Sequence, residues 1–249
     1  DEVGTKPLVV AGGGTLSIKV SGYEVANPVG YTGKSLEIEA VFTLVSSTLK
    51  DYVAEAKETF FPGSEVRFYS DARVLRQALL ATENLFDPVL TVDIGGEVTG
   101  VFWADKHTIE HAGASAFGIR TLARRVGASF KNDLAEAEAL LKKYTAGTLD
   151  EAPKVKLERA LSSALADWWS FFKTAKQTLP AGLLPKKAVL TGGGADFALF
   201  SSVLKDNFKA EHGIDLSVQT LLAEAFRDFL NPPDTFSGGG DVILTSLLI

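Results

Sequence analysis

The sequence predicts an α/β fold, and three observations carry that prediction. Segments with period-two alternation take turns with segments whose apolar residues recur at three-and-four spacing, as strands and helices interleave in such folds. Hydrophobic residues make up 46% of the chain and charged residues 22% of its 249 positions, a globular balance with length for a sizeable core. Two apolar runs each end in a glycine cluster: Leu90-Thr91-Val92-Asp93-Ile94-Gly95-Gly96 and Lys187-Ala188-Val189-Leu190-Thr191-Gly192-Gly193-Gly194.

Residues 1–15 are glycine-rich around Leu8-Val9-Val10-Ala11-Gly12-Gly13-Gly14-Thr15 and read as irregular. Alternation over 15–20 predicts a half-buried strand, and Asn27-Pro28-Val29-Gly30-Tyr31-Thr32-Gly33 is dense in turn residues. Residues 35–45 alternate again. Ser46-Ser47-Thr48 then signals a helix start, and Leu49, Tyr52, Val53 and Ala56 give residues 49–60 an amphipathic face. Pro62-Gly63 closes that helix, and residues 65–69 read as a further strand, completing a β–β–α–β unit. A helix over 71–84 leads to the strand ending at Asp93, and residues 100–104 pair back as its hairpin partner. Residues 106–110 suggest a third strand and 115–126 a helix. The 132–144 helix carries Asp133 and Glu136 at its start and Lys142 and Lys143 at its end, matching the helix dipole. A long helix spans 153–178, with Trp168-Trp169 as packing residues rather than a base-stacking platform. A helix over 197–208, a strand near 216–218 and a closing helix after Gly239-Gly240-Asp241 finish the chain.

The net charge of −6 without a basic stripe argues against a nucleic-acid partner. No apolar run approaches the roughly 18 residues of a membrane span. Zero cysteines exclude disulfides and thiolate-ligated metal. His107 and His111 are four apart, the spacing of two metal ligands on a helix, but Thr108-Ile109-Glu110 between them reads as strand. There is no Gly-x-Ser-x-Gly elbow for a nucleophilic serine, and no catalytic residue is assigned. The chain holds no methionine and opens with Asp-Glu-Val-Gly, which predicts a domain, a processed product or a fragment.

What does carry chemistry is the pair of glycine loops. Glycines after a strand let the backbone turn sharply, with amide N–H groups free to face an anion, and Asp93 places a carboxylate at the first of these turns. One acidic and one neutral strand-then-glycine loop are what a split nucleotide site would look like.

Taken together, these segments resemble the actin-like ATPase superfamily, and within it the FtsA family of bacterial cell-division proteins, with the PilM family next. Asp93-Ile94-Gly95-Gly96-Glu97-Val98-Thr99 is similar to the superfamily's second phosphate loop, Asp-x-Gly-Gly-x-x-Thr, and Leu190-Thr191-Gly192-Gly193-Gly194-Ala195 to its adenosine loop. The stretch from Asn27 to Glu39 resembles the one that opens the small subdomain peculiar to FtsA, and Ala137-Glu138 with Lys142, Lys143 and Tyr144 resembles the helix lining the nucleoside pocket. The resemblance implies an actin/hexokinase-like (ribonuclease H-like) domain with an inserted small β–β–α–β subdomain of FtsA type. Residues 1–15 would be a remnant or entry of the first large subdomain, 16–70 the small subdomain, and 71–249 the second half, with a lid over about 106–186.

The resemblance also assigns roles. Asp93 would hold the hydration shell of Mg²⁺, a hard cation that keeps most of its waters. Gly95 and Gly96 would allow close approach of the phosphates, and Thr99 would pack or hydrogen-bond at the turn. Gly192, Gly193 and Gly194 would let adenine and ribose lie on bare backbone. Glu138 would accept from the ribose hydroxyls, and Lys142 would cover the base. The cofactors implied are ATP and Mg²⁺.

Several positions depart from the pattern. The family's first phosphate loop, Asp-x-Gly-Thr-x-x-x-Lys, has no counterpart: residues 11–19 imitate it but lack the aspartate. Glu97 replaces a glycine and brings a negative charge toward the phosphates, Gly100 replaces an aspartate, and the lysine expected four positions after Ala137 is Leu141. The departures predict weakened ATP binding and at most weak ATPase activity. The implied function is an FtsA-like cell-division scaffold acting through protein contacts: an FtsZ-like tail, other divisome proteins, or self-association into polymers. Its place would be the cytoplasm, at the inner face of the membrane through a tail or partners outside this chain. A PilM-like pilus or secretion platform and an ATPase or phosphotransferase of the same superfamily are the alternatives.

Overall fold

A computed structural model describes residues 7–82, 87–105, 109–176, 184–229 and 236–247. The chain divides into two units, Asp1–Val74 and Leu75–Ile249, and the division falls inside a helix, α2 (Asp71–Thr82).

The first unit is built on β1 (Leu8–Val20), β2 (Tyr23–Glu24) and β3 (Leu36–Ser46), arranged β2-β1-β3 with antiparallel neighbours. The glycine-rich opening is therefore strand, not irregular chain. Glycine weakens an isolated strand, but pairing with β3 from Leu8 to Val20 overrides that preference, with register shifts at Val10/Gly12 and Thr15/Ser17. The 27–33 stretch turns as expected: the Val29 N–H donates to Asn27 Oδ1 at 3.0 Å, and Gly30 adopts a φ of +88°. The helix α1 (Ser47–Phe60) starts where Ser46 Oγ accepts from the Leu49 N–H at 3.2 Å.

The expected strand at residues 65–69 does not form. The Phe68 carbonyl stands 2.5 Å from where a Gly12 Cβ would be, so the segment packs against β1 at Gly12 without pairing with the sheet. Arg73 holds the return, donating from Nη1 to the Gly13 carbonyl at 3.3 Å. The remaining sheet face leaves Val10, Leu36, Ile38, Phe42 and Leu44 exposed.

The second unit centres on β4 (Val89–Ile94), β5 (Thr99–Ala104), β6 (Ile109–Ser115), β7 (Lys187–Thr191) and β8 (Ser217–Thr220). Their order is β6-β5-β4-β7-β8: an antiparallel meander joined at β4 to two parallel strands. Leu90, Val92 and Ile94 of β4 reach one apolar core with Leu122, Leu161, Trp168, Phe172 and Phe200. Those partners come from α3 (Ile119–Phe130), α5 (Glu151–Lys176) and α6 (Ala198–His212). Both tryptophans of the 168–169 pair are core residues, Trp168 edge-on to Phe200 with ring centres 4.9 Å apart and Trp169 stacked on Phe172 at 5.1 Å.

Several boundaries move. Residues 109–115 form one strand, and 106–108 of the expected third strand lie outside the described residues. The helix expected from residue 115 begins at Ile119, because Ser115 is still paired with Thr99. α4 (Leu134–Thr145) has the expected start, a capping box between Asp133 and Glu136. Residues 83–84 and 177–178, expected as helix ends, are outside the described residues. The closing helix is short: a 3-10 turn at Gly239–Asp241 followed by α7 (Val242–Ser246). Among the described residues no helix is long and apolar enough to cross a membrane.

Candidate functional site

The two glycine loops leave the sheet side by side. β4 and β7 are parallel neighbours with Asp93 opposite Thr191, so both strands end at one level, the position where open α/β sheets place ligands.

The first loop docks on a helix. The β4–β5 hairpin turns through Gly95-Gly96-Glu97-Val98, closed by the Gly95 N–H donating to the Val98 carbonyl at 2.8 Å. The Gly95 and Gly96 carbonyls accept from the N–H groups of Ile119 and Arg120, at 3.0 and 2.8 Å, satisfying the first amides of α3. Gly118 makes this approach possible, since a Cβ there would stand 2.4 Å from the Gly95 oxygen. With its carbonyls turned to α3, the loop keeps the N–H groups of Gly96, Glu97 and Val98 undonated among the described residues.

Thr99 sits beneath the loop, not on its surface. Its hydroxyl donates to the Phe117 carbonyl at 2.6 Å and accepts from Trp168 Nε1 at 3.2 Å, wholly within the core. Gly100 lies opposite Asp93. A Cβ there would meet the Phe102 ring at 2.8 Å, so that ring fills the place of the aspartate seen in the resembling pattern.

The second loop needs its glycines for a reason the sequence did not show. Gly192 has a φ of +82°, and its Cβ would stand 2.3 Å from Asp93 Oδ1 and 2.6 Å from the Ile94 oxygen. At Gly194 a Cβ would meet Ile94 Cγ2 at 2.3 Å, and the Gly194 N–H donates to the Ile94 carbonyl at 2.8 Å. These two glycines let the loops pack on each other. Gly193 alone of the three has nothing within 4 Å of its missing Cβ, and it borders a cavity of about 570 Å³.

That cavity gathers the expected helix residues. Glu138, Leu141, Lys142 and Thr145 of α4 line it together with Ile119, Gly193, Asp196 and Phe197. Positions i, i+3, i+4 and i+7 share one helix face, so Lys142, four residues after Glu138, faces the same space. Lys142, one position after the Leu141 that stands in place of the expected lysine, therefore lies on the cavity, with Leu141 buried beside it.

A third glycine run, Gly238-Gly239-Gly240, read in the sequence only as the lead-in to the closing helix, completes the arrangement. The Gly239 carbonyl accepts from the Gly192 N–H at 3.0 Å, and its own N–H donates to Asp196 Oδ1 at 3.2 Å. The Gly238 N–H lies 3.1 Å from both carboxylate oxygens of Glu224, whose pKa is lowered by hydrogen bonds from its own and the Gly238 backbone N–H. The signal was the repeated triple glycine, the same composition as residues 192–194.

Glu97 does not stand as an uncompensated charge. Arg124 holds its Oε2 from Nη1 at 3.0 Å and from Nη2, and Arg120 Nη1 lies 3.9 Å from Oε1. The hydrogen bond from Arg124 holds the Glu97 carboxyl below the usual glutamate range. No group of three or more His, Asp or Glu is gathered for a metal among the described residues. His107 lies outside them, and His111 is a strand residue of β6, opposite Phe102.

No protein-family model and no curated protein matches the sequence. Solved structures match its fold. One is the PilM-PilN type IV pilus biogenesis complex, with a TM-score of 0.63 and 16% identity over 97% of this chain and 66% of that one. Two others are MreB5 of Spiroplasma citri bound to AMPPNP or to ADP, with TM-scores of 0.54 and 0.55, each at 11% identity over 82% of this chain and 64% of that one. The chain shares their fold, the actin-like fold. It spans just under two thirds of the length of these chains.

Proposed function

We propose that this chain is a nucleotide-binding scaffold of the actin-like fold that works by docking protein partners. The observation that carries the reading is that Glu138, Lys142 and Gly193, from separate parts of the sequence, line one cavity of about 570 Å³. Its Gly193 wall belongs to the loop that packs against Asp93. The MreB structures of similar fold, solved with AMPPNP and ADP, support the nucleotide part.

The residues fit the nucleotide. The undonated N–H groups of Gly96, Glu97 and Val98 suit phosphate oxygens, Asp93 suits a hydrated magnesium ion, and Glu138 suits ribose hydroxyls. Bound ATP would supply phosphate oxygens and ribose hydroxyls for these groups to hold. The protein's own residues orient it: α3 holds the first loop through Gly95 and Gly96, and Asp196 holds Gly239 behind the second. The domain division at 1–15, 16–70 and 71–249, with a lid near 106–186, is part of the same proposal.

Two partner classes follow. Similarity to the PilM-PilN complex over 97% of the chain favours a pilus or secretion platform that captures a short peptide of an assembly protein. The segment from Asn27 to Glu39 favours an FtsA-type division scaffold that binds an FtsZ-like tail.

Calorimetric titration with Mg-AMPPNP tests the nucleotide part. Saturable binding that is lost in Asp93→Ala supports it, and a flat titration of the folded wild type refutes it. Peptide titrations with a PilN-type segment and an FtsZ-type tail separate the two partner classes.

A further inference from the structure

We propose that Arg120 is the cation that contacts the nucleotide's phosphates, and that the Glu97–Arg124 pair keeps it available; this rests on the nucleotide reading above. The Arg120 backbone N–H donates to the Gly96 carbonyl at 2.8 Å, which ties its Cα to the loop. Its side chain then runs past Gly96, with Cδ and Nε 3.8 Å from where a Gly96 Cβ would stand. The guanidinium is thus beside the segment whose N–H groups at Gly96, Glu97 and Val98 are undonated among the described residues.

The loop's own carboxylate competes for this arginine, and Arg124 settles the competition. Arg124 engages Glu97 Oε2 through both Nη atoms, whereas Arg120 stays 3.9 Å from Oε1, beyond hydrogen-bond distance. One carboxylate against two guanidinium groups leaves the cluster one net positive charge, and Arg120 is the arginine not hydrogen-bonded to Glu97. A planar guanidinium fork matches two phosphate oxygens, which an ammonium cannot do. The Arg120 side chain is 58% exposed, so a ligand can reach it.

The test titrates Mg-AMPPNP and adenosine into the wild type, Arg120→Ala, Arg124→Ala and the Arg124→Ala/Glu97→Gln double variant. Arg120→Ala weakens AMPPNP about tenfold, the loss of one charge-assisted contact, and leaves adenosine unchanged. Arg124→Ala also weakens AMPPNP, because Glu97 then takes Arg120, and adding Glu97→Gln restores the affinity. A merely structural role for Arg124 gives no such rescue. Melting curves of the single variants stay near wild type, since the capping hydrogen bond uses the Arg120 backbone. Wild-type affinity for AMPPNP in Arg120→Ala overturns this inference while the nucleotide reading stands. A wild type that binds neither AMPPNP nor adenosine overturns both.

Discussion

Replacing Gly192 and Gly193 by alanine, one at a time, separates the packing role of the second glycine loop from its ligand-facing role. At Gly192 an L-residue must hold a φ of +82°, which costs about 1–2 kcal/mol. Its Cβ must also stand 2.3 Å from Asp93 Oδ1 and 2.6 Å from the Ile94 oxygen, an overpacking that costs about 1–3 kcal/mol. Gly192→Ala should therefore lose about 2–5 kcal/mol, lowering Tm by roughly 4–20 °C for a unit of this size. Nothing lies within 4 Å of a Cβ on Gly193, so Gly193→Ala should stay within about 0.5 kcal/mol of wild type. Gly193→Leu should remain folded but lose AMPPNP affinity by about tenfold or more, because the side chain enters the cavity. Tryptophan fluorescence follows the relevant transition, since all three tryptophans, Trp103, Trp168 and Trp169, belong to the second unit. Equal melting of Gly192→Ala and wild type, or a Gly193→Ala protein as unstable as Gly192→Ala, refutes the reasoning.

Thr99→Val should cost about 1–3 kcal/mol, because it strands the buried Phe117 carbonyl and the Trp168 indole N–H; chemical denaturation measures the loss, and a value below 0.5 would sink the account. The Glu97 carboxyl should titrate below its ordinary 4.5, observed by carbon NMR, and return toward that value in Arg124→Ala. Because its folded pKa is depressed, the pairing stabilises the folded state above the unfolded value and fades as pH falls through the folded one. A Glu97 midpoint that does not move in Arg124→Ala would contradict the ion pair. Gly118→Ala should detach the first loop from α3, seen as faster hydrogen exchange at Ile119 and Arg120, since its Cβ would stand 2.4 Å from the Gly95 oxygen; unchanged protection would argue against that docking.

Much of the second unit was legible because its signals are local. Helix caps at Asp133 and Ser46, the buried run at 89–94 and the glycine loops each follow from a few neighbouring residues. Where reading failed, a distant partner decided the outcome. The glycines at 12–14 became strand because β3 pairs along them, and residues 65–69 pack against Gly12 through Phe68 without joining the sheet. The helix expected at 115 waited until Ile119, where the Gly95 and Gly96 carbonyls accept its first amides.

The same division runs through the site. By itself the sequence determined the α/β class, the two loops and the Asp93 carboxylate between them, because strand alternation and glycine turns are written over a handful of consecutive residues. Only the tertiary structure decided what each residue does there. It gave Gly192 and Gly194 to the contact between the loops and left Gly193 to the cavity. It buried Thr99 under Trp168, neutralised Glu97 with Arg124, and brought in Gly239. Each of those roles depends on a partner remote in the chain, and electrostatic and steric fit are set by distance in space, which one-dimensional order does not contain.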